Sequence, residues 1–437
     1  MTAADDPDRL ARAMLTCIAE PGDPVLGMLL RRCPPASIVA ALVAGRSPLP
    51  AGRAELPFGP EPGAPGACGP GTGGGDVGAG GDAGKAGTDA GGDAGEAGTD
   101  AGGAARLTRA LRRWSARLGE APTAATLAAW RQQGIRLIVP GDPEWPGQLD
   151  VLGDARPWAL WVRGNADLRY ACLRSVSVVG SRAATGYGSH VASEMSAVLA
   201  GYGWAVVSGG AFGIDRWAHS GALAGEGVTI AVLASGVDTP YPPAHHDLFC
   251  AIAGQGALVS EWPPGRHPTK PGFLVRNRVI AALSRGTVVV EAALRSGALN
   301  TARHARDQGR PVMAVPGPVT SEQSAGCHQI LREWGAVCVT GARDIMELLA
   351  FPGDGLPPQP RGPVLPRDAL DPVTARVLEA VPARSGRGPA RIAVIAGVDF
   401  GTALSCLGVL AAGGFVERTG QGWRACLRPG ERAAGGG

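Results

Sequence analysis

Lysine is almost missing from this chain: of 41 basic residues only Lys85 and Lys270 are lysine, and arginine supplies every other positive charge. The scarcity reflects a bias toward Arg, Ala and Gly, and it makes the position of Lys270 worth following. No run of roughly 18 apolar residues occurs, so a membrane-spanning helix is not expected. The opening stretch, MTAADDPDRLARAM, is acidic and lacks an uninterrupted apolar core, so a cytoplasmic location is expected and a secretory signal is not. The nine cysteines include no CxxC pair and no His/Cys cluster at metal-ligand spacing. An odd, scattered set fits reduced thiols used as small hydrophobes rather than a disulfide framework or a metal site.

The usual marks of nucleotide chemistry are missing as well. There is no GxxxxGK[ST], so a P-loop ATPase is not expected. A dinucleotide site needs GxGxxG after the first strand and an acid near the end of the second. Here the first loop reads Gly180-Ser181-Arg182 and the second strand ends at Ser208. HExxH and GxSxG are absent, and His245-His246 are neighbours that cannot face one way on a helix. The expectation is a binding protein with no cofactor, no metal and no catalytic residue, rather than an enzyme.

Composition divides the 437 residues into segments. Net charge is +3, but residues 60–105 hold seven acids against Lys85, so the rest of the chain is net +9, compatible with nucleic acid. Residues 1–48 read as a helical module, with RLARAML and PASIVAALVAG divided by Pro-Gly and Pro-Pro turns. Residues 49–105 are rich in Gly, Ala and Asp and contain GGDAGKAGTDA followed at once by GGDAGEAGTDA. A tandem repeat with so little apolar mass is expected to be a disordered linker. Residues 106–350 form the main domain, and 351–370 a Pro/Gly-rich linker. In residues 371–427 three helical stretches and two strands, FVERT and WRACL, follow a winged-helix pattern. Its third helix, Thr402 to Leu410, carries no Arg or Lys, where a reader of duplex DNA puts basic or amide side chains. A packing or protein-interaction module suits it better.

Within the main domain, five apolar runs each end in a loop of glycine and small polar residues: VSVVGSR, WAVVSGGAFGID, IAVLASG, VVVEAALRSGALN and VMAVPGP. Runs of Val, Ile and Ala without polar alternation suit strands buried on both faces. With ALVSE and AVCVT they alternate with helical stretches such as Gly188 to Leu199 and Ile214 to Ala224. The expected class is therefore α/β, a doubly wound parallel sheet with right-handed crossovers. Such sheets bind ligands at the carboxyl ends of their strands, where these loops lie.

Gly180, Ser181 and Arg182 follow the first of these strands, where a helix start and a guanidinium fork favour an anion. The other reading is an Arg182 salt bridge to Asp215. Ser208, Gly209 and Gly210 open the second loop, whose glycines serve either close approach to a ligand or a tight turn. From Trp262 to Val290, WPPGRHPTKPGFLVRNRVIAALSRGTVVV holds Arg266, Lys270, Arg276, Arg278 and Arg285 and no acid. Phe273 stands at a helix start with Asn277 one turn on, so the two share a face. Cations interleaved with an aromatic and an amide form a platform for single-stranded nucleic acid. On spacing alone a core Phe273 on a solvated helix fits equally well. Ser296 and Gly297, in the loop after VVVEAAL, add N–H and hydroxyl donors at another helix start.

At these residues the chain resembles the DprA/Smf family of bacterial DNA-processing proteins. VVGSRAATGYG, VVSGGAFGIDRWAHSGAL, ALVSEWPPG, FLVRNRVIAALSRGTVVVEAALRSGALNTARHA and GRPVMAVPGPV stand in order between Asp142 and Leu349. The resemblance implies an extended Rossmann-like domain, with the N-terminal helical module and the C-terminal winged-helix domain beside it. It implies a homodimer that binds and protects single-stranded DNA during natural transformation or general recombination and helps load RecA. By position it implies that Arg182 in GSR, Lys270, Phe273, Arg276, Asn277 and Arg278 line the DNA groove. The loops at Ser208 to Gly210 and at Ser296-Gly297 would then hold phosphates. Leucine stands at 274 where many members have proline. The alternative is a nucleotide-processing enzyme of a related Rossmann-like family that cleaves nucleoside monophosphates and is marked by PGGxGTxxE; here the strand ends in Glu291-Ala292-Ala293, without the glycine pair. A winged-helix transcription factor is a third reading, against which the uncharged helix speaks.

Overall fold

The computed structural model describes residues 6–49, 96–351, 353, 355–358 and 366–426. The chain divides into two compact units, Met1–Pro357 and Pro358–Gly437. The first opens with three short helices, α1 (Pro7–Ile18), α2 (Pro24–Arg32) and α3 (Pro35–Val43). Each begins with proline, which at the first helical position gives up only an N–H without an intrahelical partner. Asp6 and Asp23 cap the first two through the Asp8 and Val25 N–H groups. Helix α4 (Glu96–Ser115) closes this module, with Leu107, Ala110 and Trp114 packed against Leu15, Leu26, Leu29 and Ile38. Residues 50–95 of the expected linker lie outside the described residues. The expectation of disorder through 105 is corrected at its end, because the helix anchored by those three side chains starts at Glu96.

Helix α5 (Ala124–Gln132) leads into a sheet of nine strands. In chain order these are β1 (Ile135–Ile138), β2 (Leu160–Gly164), α6 (Leu168–Leu173), β3 (Ser175–Val179), α7 (Gly186–Gly201), β4 (Ala205–Ser208), α8 (Ile214–Ala224), β5 (Thr229–Leu233) and α9 (His246–Gln255). They continue with β6 (Ala257–Ser260), α10 (Lys270–Leu283), β7 (Thr287–Val289), α11 (Gly297–Asp307), β8 (Val312–Ala314), α12 (Glu322–Glu333), β9 (Val337–Cys338) and α13 (Ala342–Leu349). The spatial order is β1-β2-β6-β5-β4-β3-β7-β8-β9. Pairing is parallel from β6 to β9 and antiparallel at β1–β2 and β2–β6. The parallel strands are the apolar runs of the sequence. The antiparallel edge is an addition that two short runs among Pro/Gly turns do not announce.

Alternate residues face opposite sides. Val176, Val178 and Val288 pack with Leu199 of α7, Ala218 of α8 and Met346 of α13. Val179, Val207 and Val289 pack with Ile280 of α10, Ala302 of α11 and Ile330 of α12. Burial on both faces is what a parallel sheet covered by helices requires. From β3 the chain winds outward through β4, β5 and β6. It then returns to β7 on the other flank of β3 and winds outward the opposite way. The loops after β3 and β7 therefore part, and such a switch point opens a crevice at the carboxyl ends of the strands.

The second unit consists of α14 (Pro372–Ala380), α15 (Pro389–Ala396), α16 (Phe400–Ala412) and an antiparallel hairpin of β10 (Val416–Thr419) and β11 (Gly422–Ala425). Its core is Val377, Ile392, Leu407, Leu410 and Phe415. Gly397, left-handed at φ 63, ends α15 and turns the chain toward α16, which carries no charged side chain. Among the described residues no single helix is long and apolar enough to cross a membrane.

Candidate nucleic-acid interface

The crevice holds a cleft of about 450 Å³ walled by the loop after β3, the first turns of α10 and the loop after β7. It brings together Gly180, Ser181, Arg182, Phe273, Arg276, Asn277, Ser296 and Gly297 from among the residues that the sequence singles out. Arg182 is exposed, its guanidinium carbon 5.1 Å from the centre of the Phe273 ring. It makes no salt bridge to Asp215. That carboxylate instead accepts the Gly209 and Ala211 N–H groups at 3.2 and 3.3 Å, with Arg276 as its counter-charge. Phe273 is half-buried at the mouth of the cleft, so the core reading of this ring is set aside. Lys270 is the first residue of α10, capped by Thr269, and is exposed. A cation there opposes the helix dipole, and no acid in the first turn compensates it. Lys270 lies one turn from Phe273 and outside the cleft lining proper.

The remaining expected residues turn inward. Arg278 is buried, and Glu261 accepts two bonds from it at 2.6 and 2.7 Å. Its guanidinium packs on Gly22 between α1 and α2, so the expectation that it lines the groove does not hold. Arg276 reaches the cleft wall but is also buried, donating to the carbonyls of Gly209 (2.9 Å) and Val232 and to Asn277 Oδ1 (3.2 Å). Burial pulls its guanidinium down to about 10, with Asp215 opposing and Arg182 adding to the fall. Ser208 spends its hydroxyl on the Val178 carbonyl at 2.7 Å and is fully buried. Gly209 and Gly210 do not line the cleft either. Gly210 has φ +71, and a Cβ there would lie 2.6 Å from the Phe249 ring, so the glycine is a packing requirement. Of the second loop only Ala211 and Asp215 line the cleft, while Gly209 holds Asp215 through its N–H and Arg276 through its carbonyl. The reason is positional: β4 lies on the far flank of β3 from the crevice.

Two residues at this edge escape a reading of the sequence. Arg295, just before Ser296, is exposed and lines the cleft. Its signal is a cation in a strand-to-helix loop. Glu291 is buried, and its carboxylate accepts the Thr185 N–H at 2.9 Å and the Thr185 hydroxyl at 2.6 Å. It sits against Gly188, so close that a Cβ there would strike it, and thus occupies the amino terminus of α7. The first turn of α11 holds no such group: Ser296 caps it through the Ala298 N–H at 3.2 Å, and Gly297 beside it is open. Asn277 braces this turn, donating to Asn300 Oδ1 at 3.1 Å.

These features define a mixed α/β protein with a cationic cleft, edged by an aromatic ring, at the switch point of its sheet. Residues 136–350 match the family model of DNA recombination-mediator protein A. Over 304 residues the chain is 46% identical to "Putative DNA processing protein DprA" of Mycobacterium tuberculosis (strain ATCC 25618 / H37Rv), spanning 67% of this chain and 77% of that one. It is 41% identical over 244 residues to protein Smf of Escherichia coli (strain K12), spanning 55% and 64%. The structure is similar to the X-ray structure of DNA processing protein A from Streptococcus pneumoniae, with a TM-score of 0.50 and 36% identity over 57% of this chain and 87% of that one. The chain belongs to the DprA/Smf family.

Proposed function

We propose that the switch-point cleft binds single-stranded DNA and that the protein is a cytoplasmic recombination mediator without chemistry of its own. One observation carries this reading. Arg182, Arg295 and Lys270 are exposed around a half-buried Phe273, and among the described residues no carboxylate pairs with any of them. Cations beside a stacking surface suit a flexible strand, whose bases are free to leave their own stack, better than a duplex. The one carboxylate lining the cleft, Asp215, is buried and engaged by backbone N–H groups, which argues against acid–base work on a nucleotide. Family membership supports dimerisation and help in loading RecA as further parts of the same proposal. The second unit has the element order of a winged helix, and an uncharged α16 suits docking better than reading of duplex.

Anisotropy titrations with single-stranded and duplex oligonucleotides test this. Phe273→Ala is expected to cost about 1–3 kcal/mol on the single strand and less on the duplex. Equal losses on both would remove the stacking role. A RecA nucleation assay on the same strand checks the mediator role, with faster filament onset expected when the protein is added.

A further inference from the structure

We infer that the track for the strand extends beyond the cleft over Phe212 and Tyr241, which with Phe273 form a row of stacking surfaces for successive bases. The inference rests on the single-strand reading and adds to it which side of the sheet edge takes bases and which takes phosphates. The sorting follows from topology. Strands β6, β5 and β4 are consecutive neighbours on one flank of β3, while β7 lies on the other. The segments that follow these three strands each present a partly exposed aromatic: Phe212 after β4 (46% exposed), Tyr241 after β5 (45%) and Phe273 after β6. The loops after β3 and β7, residues 180–185 and 290–296, hold Arg182 and Arg295 and no aromatic. Tyr187, in the first turn of α7, is 42% exposed but is tied away toward β8 by the bond its hydroxyl donates to the Pro316 carbonyl at 2.7 Å. Helix α10 crosses from β6 to β7 and brings Phe273 to the junction, where Arg182 lies over it.

The two added rings are held in place. Tyr241 packs on Phe273 with ring centres 6.0 Å apart and planes at 62°. Phe212 packs on His245 at 4.6 Å and 67°. That imidazole is buried and fixed at 3.1 Å from the Gly210 carbonyl. Phe212 directly follows Ala211, which lines the cleft. A ring half open to solvent and braced by an aromatic neighbour loses little freedom when a base stacks on it, so the row is preorganised. The 6.0 Å between the Tyr241 and Phe273 ring centres matches, to order of magnitude, the advance from base to base in a partly extended strand.

The test uses the full chain and two probes, a short oligothymidylate and the same oligonucleotide with abasic internal positions. Tyr241→Leu and Phe212→Leu should each weaken oligothymidylate binding by about tenfold without changing its salt dependence, since no phosphate contact is lost. Tyr241→Phe should bind like the parent, because the ring is kept. On the abasic probe, parent and leucine variants should converge, a result that general loss of structure would not produce. Leucine variants that bind oligothymidylate like the parent, while Phe273→Ala weakens it, would overturn the row and leave the single-strand reading standing. So would a leucine loss that persists in full on the abasic probe. A parent protein that binds neither probe overturns the single-strand reading and the row with it.

Discussion

The first turns of α7 and α11 stand at the carboxyl ends of neighbouring strands, β3 and β7, and the partial positive charge of a helix start gives each the same reason to attract an anion. The first has an anion built in, for the Glu291 carboxylate is closed inside the protein against Thr185. The second has only the Ser296 hydroxyl, with Arg295 and Gly297 exposed beside it. The arginines divide the same way. Arg278 is answered by Glu261, and Arg276 by Asp215 and two carbonyls, whereas Arg182 and Arg295 face the cleft unanswered. Polar groups answered within the protein build the wall of the groove; those left unanswered are what it offers to a ligand.

The largest effect that tests this division is on stability. Arg278→Ala leaves Glu261 charged, buried and alone, and is expected to cost about 3–5 kcal/mol in urea unfolding. The salt dependence of DNA binding should stay the same in the protein that remains folded. A flattened salt slope with intact stability would place Arg278 in the groove after all. The paired change Arg182→Gln with Arg295→Gln should do the reverse. Stability should move by no more than about 0.5 kcal/mol, as for surface sites in general. The salt slope on single strands should fall by about 1.4, from roughly 0.7 per phosphate contact. An unchanged slope would show that open arginines at this edge do not meet phosphates.

Seven strands are legible in the sequence, six of them because a strand buried on both faces has one chemical requirement, met by VSVV, AVVS and TVVV alike, and exposed β9 only from its place in the alternation. The site is legible only in part. Arg182, Arg276 and Arg278 look equivalent as letters, and what separates them is the partner each finds. Glu261 is 17 residues from Arg278, and Thr185 is 106 from Glu291. Such pairings exist only once β3, β6 and β7 have taken their places. Phe273 shows the same limit from the other side, since a helix-start aromatic has one spacing whether it is core or platform. The glycines of the second loop carry the same ambiguity, because a tight turn and a ligand cradle call for the same residue.

Glu291→Gln gives the narrowest test, for no change in DNA binding is expected from it. The substitution keeps the shape of the side chain but turns one of two acceptors into a donor. Thr185 offers two donors there, its N–H and its hydroxyl, so one of them loses its partner in a buried setting. The expected cost is about 1–3 kcal/mol of stability, the range for an unsatisfied buried polar group. Because the carboxylate is enclosed and faces α7 rather than the cleft, affinity for single-stranded DNA should be unchanged at temperatures where the variant is fully folded. The opposite outcome, weaker binding with full stability, would mean that the charge at α7 acts on the ligand. The two helix starts would then form one electrostatic site, one end of it held negative to steer the strand toward Arg182 and Arg295.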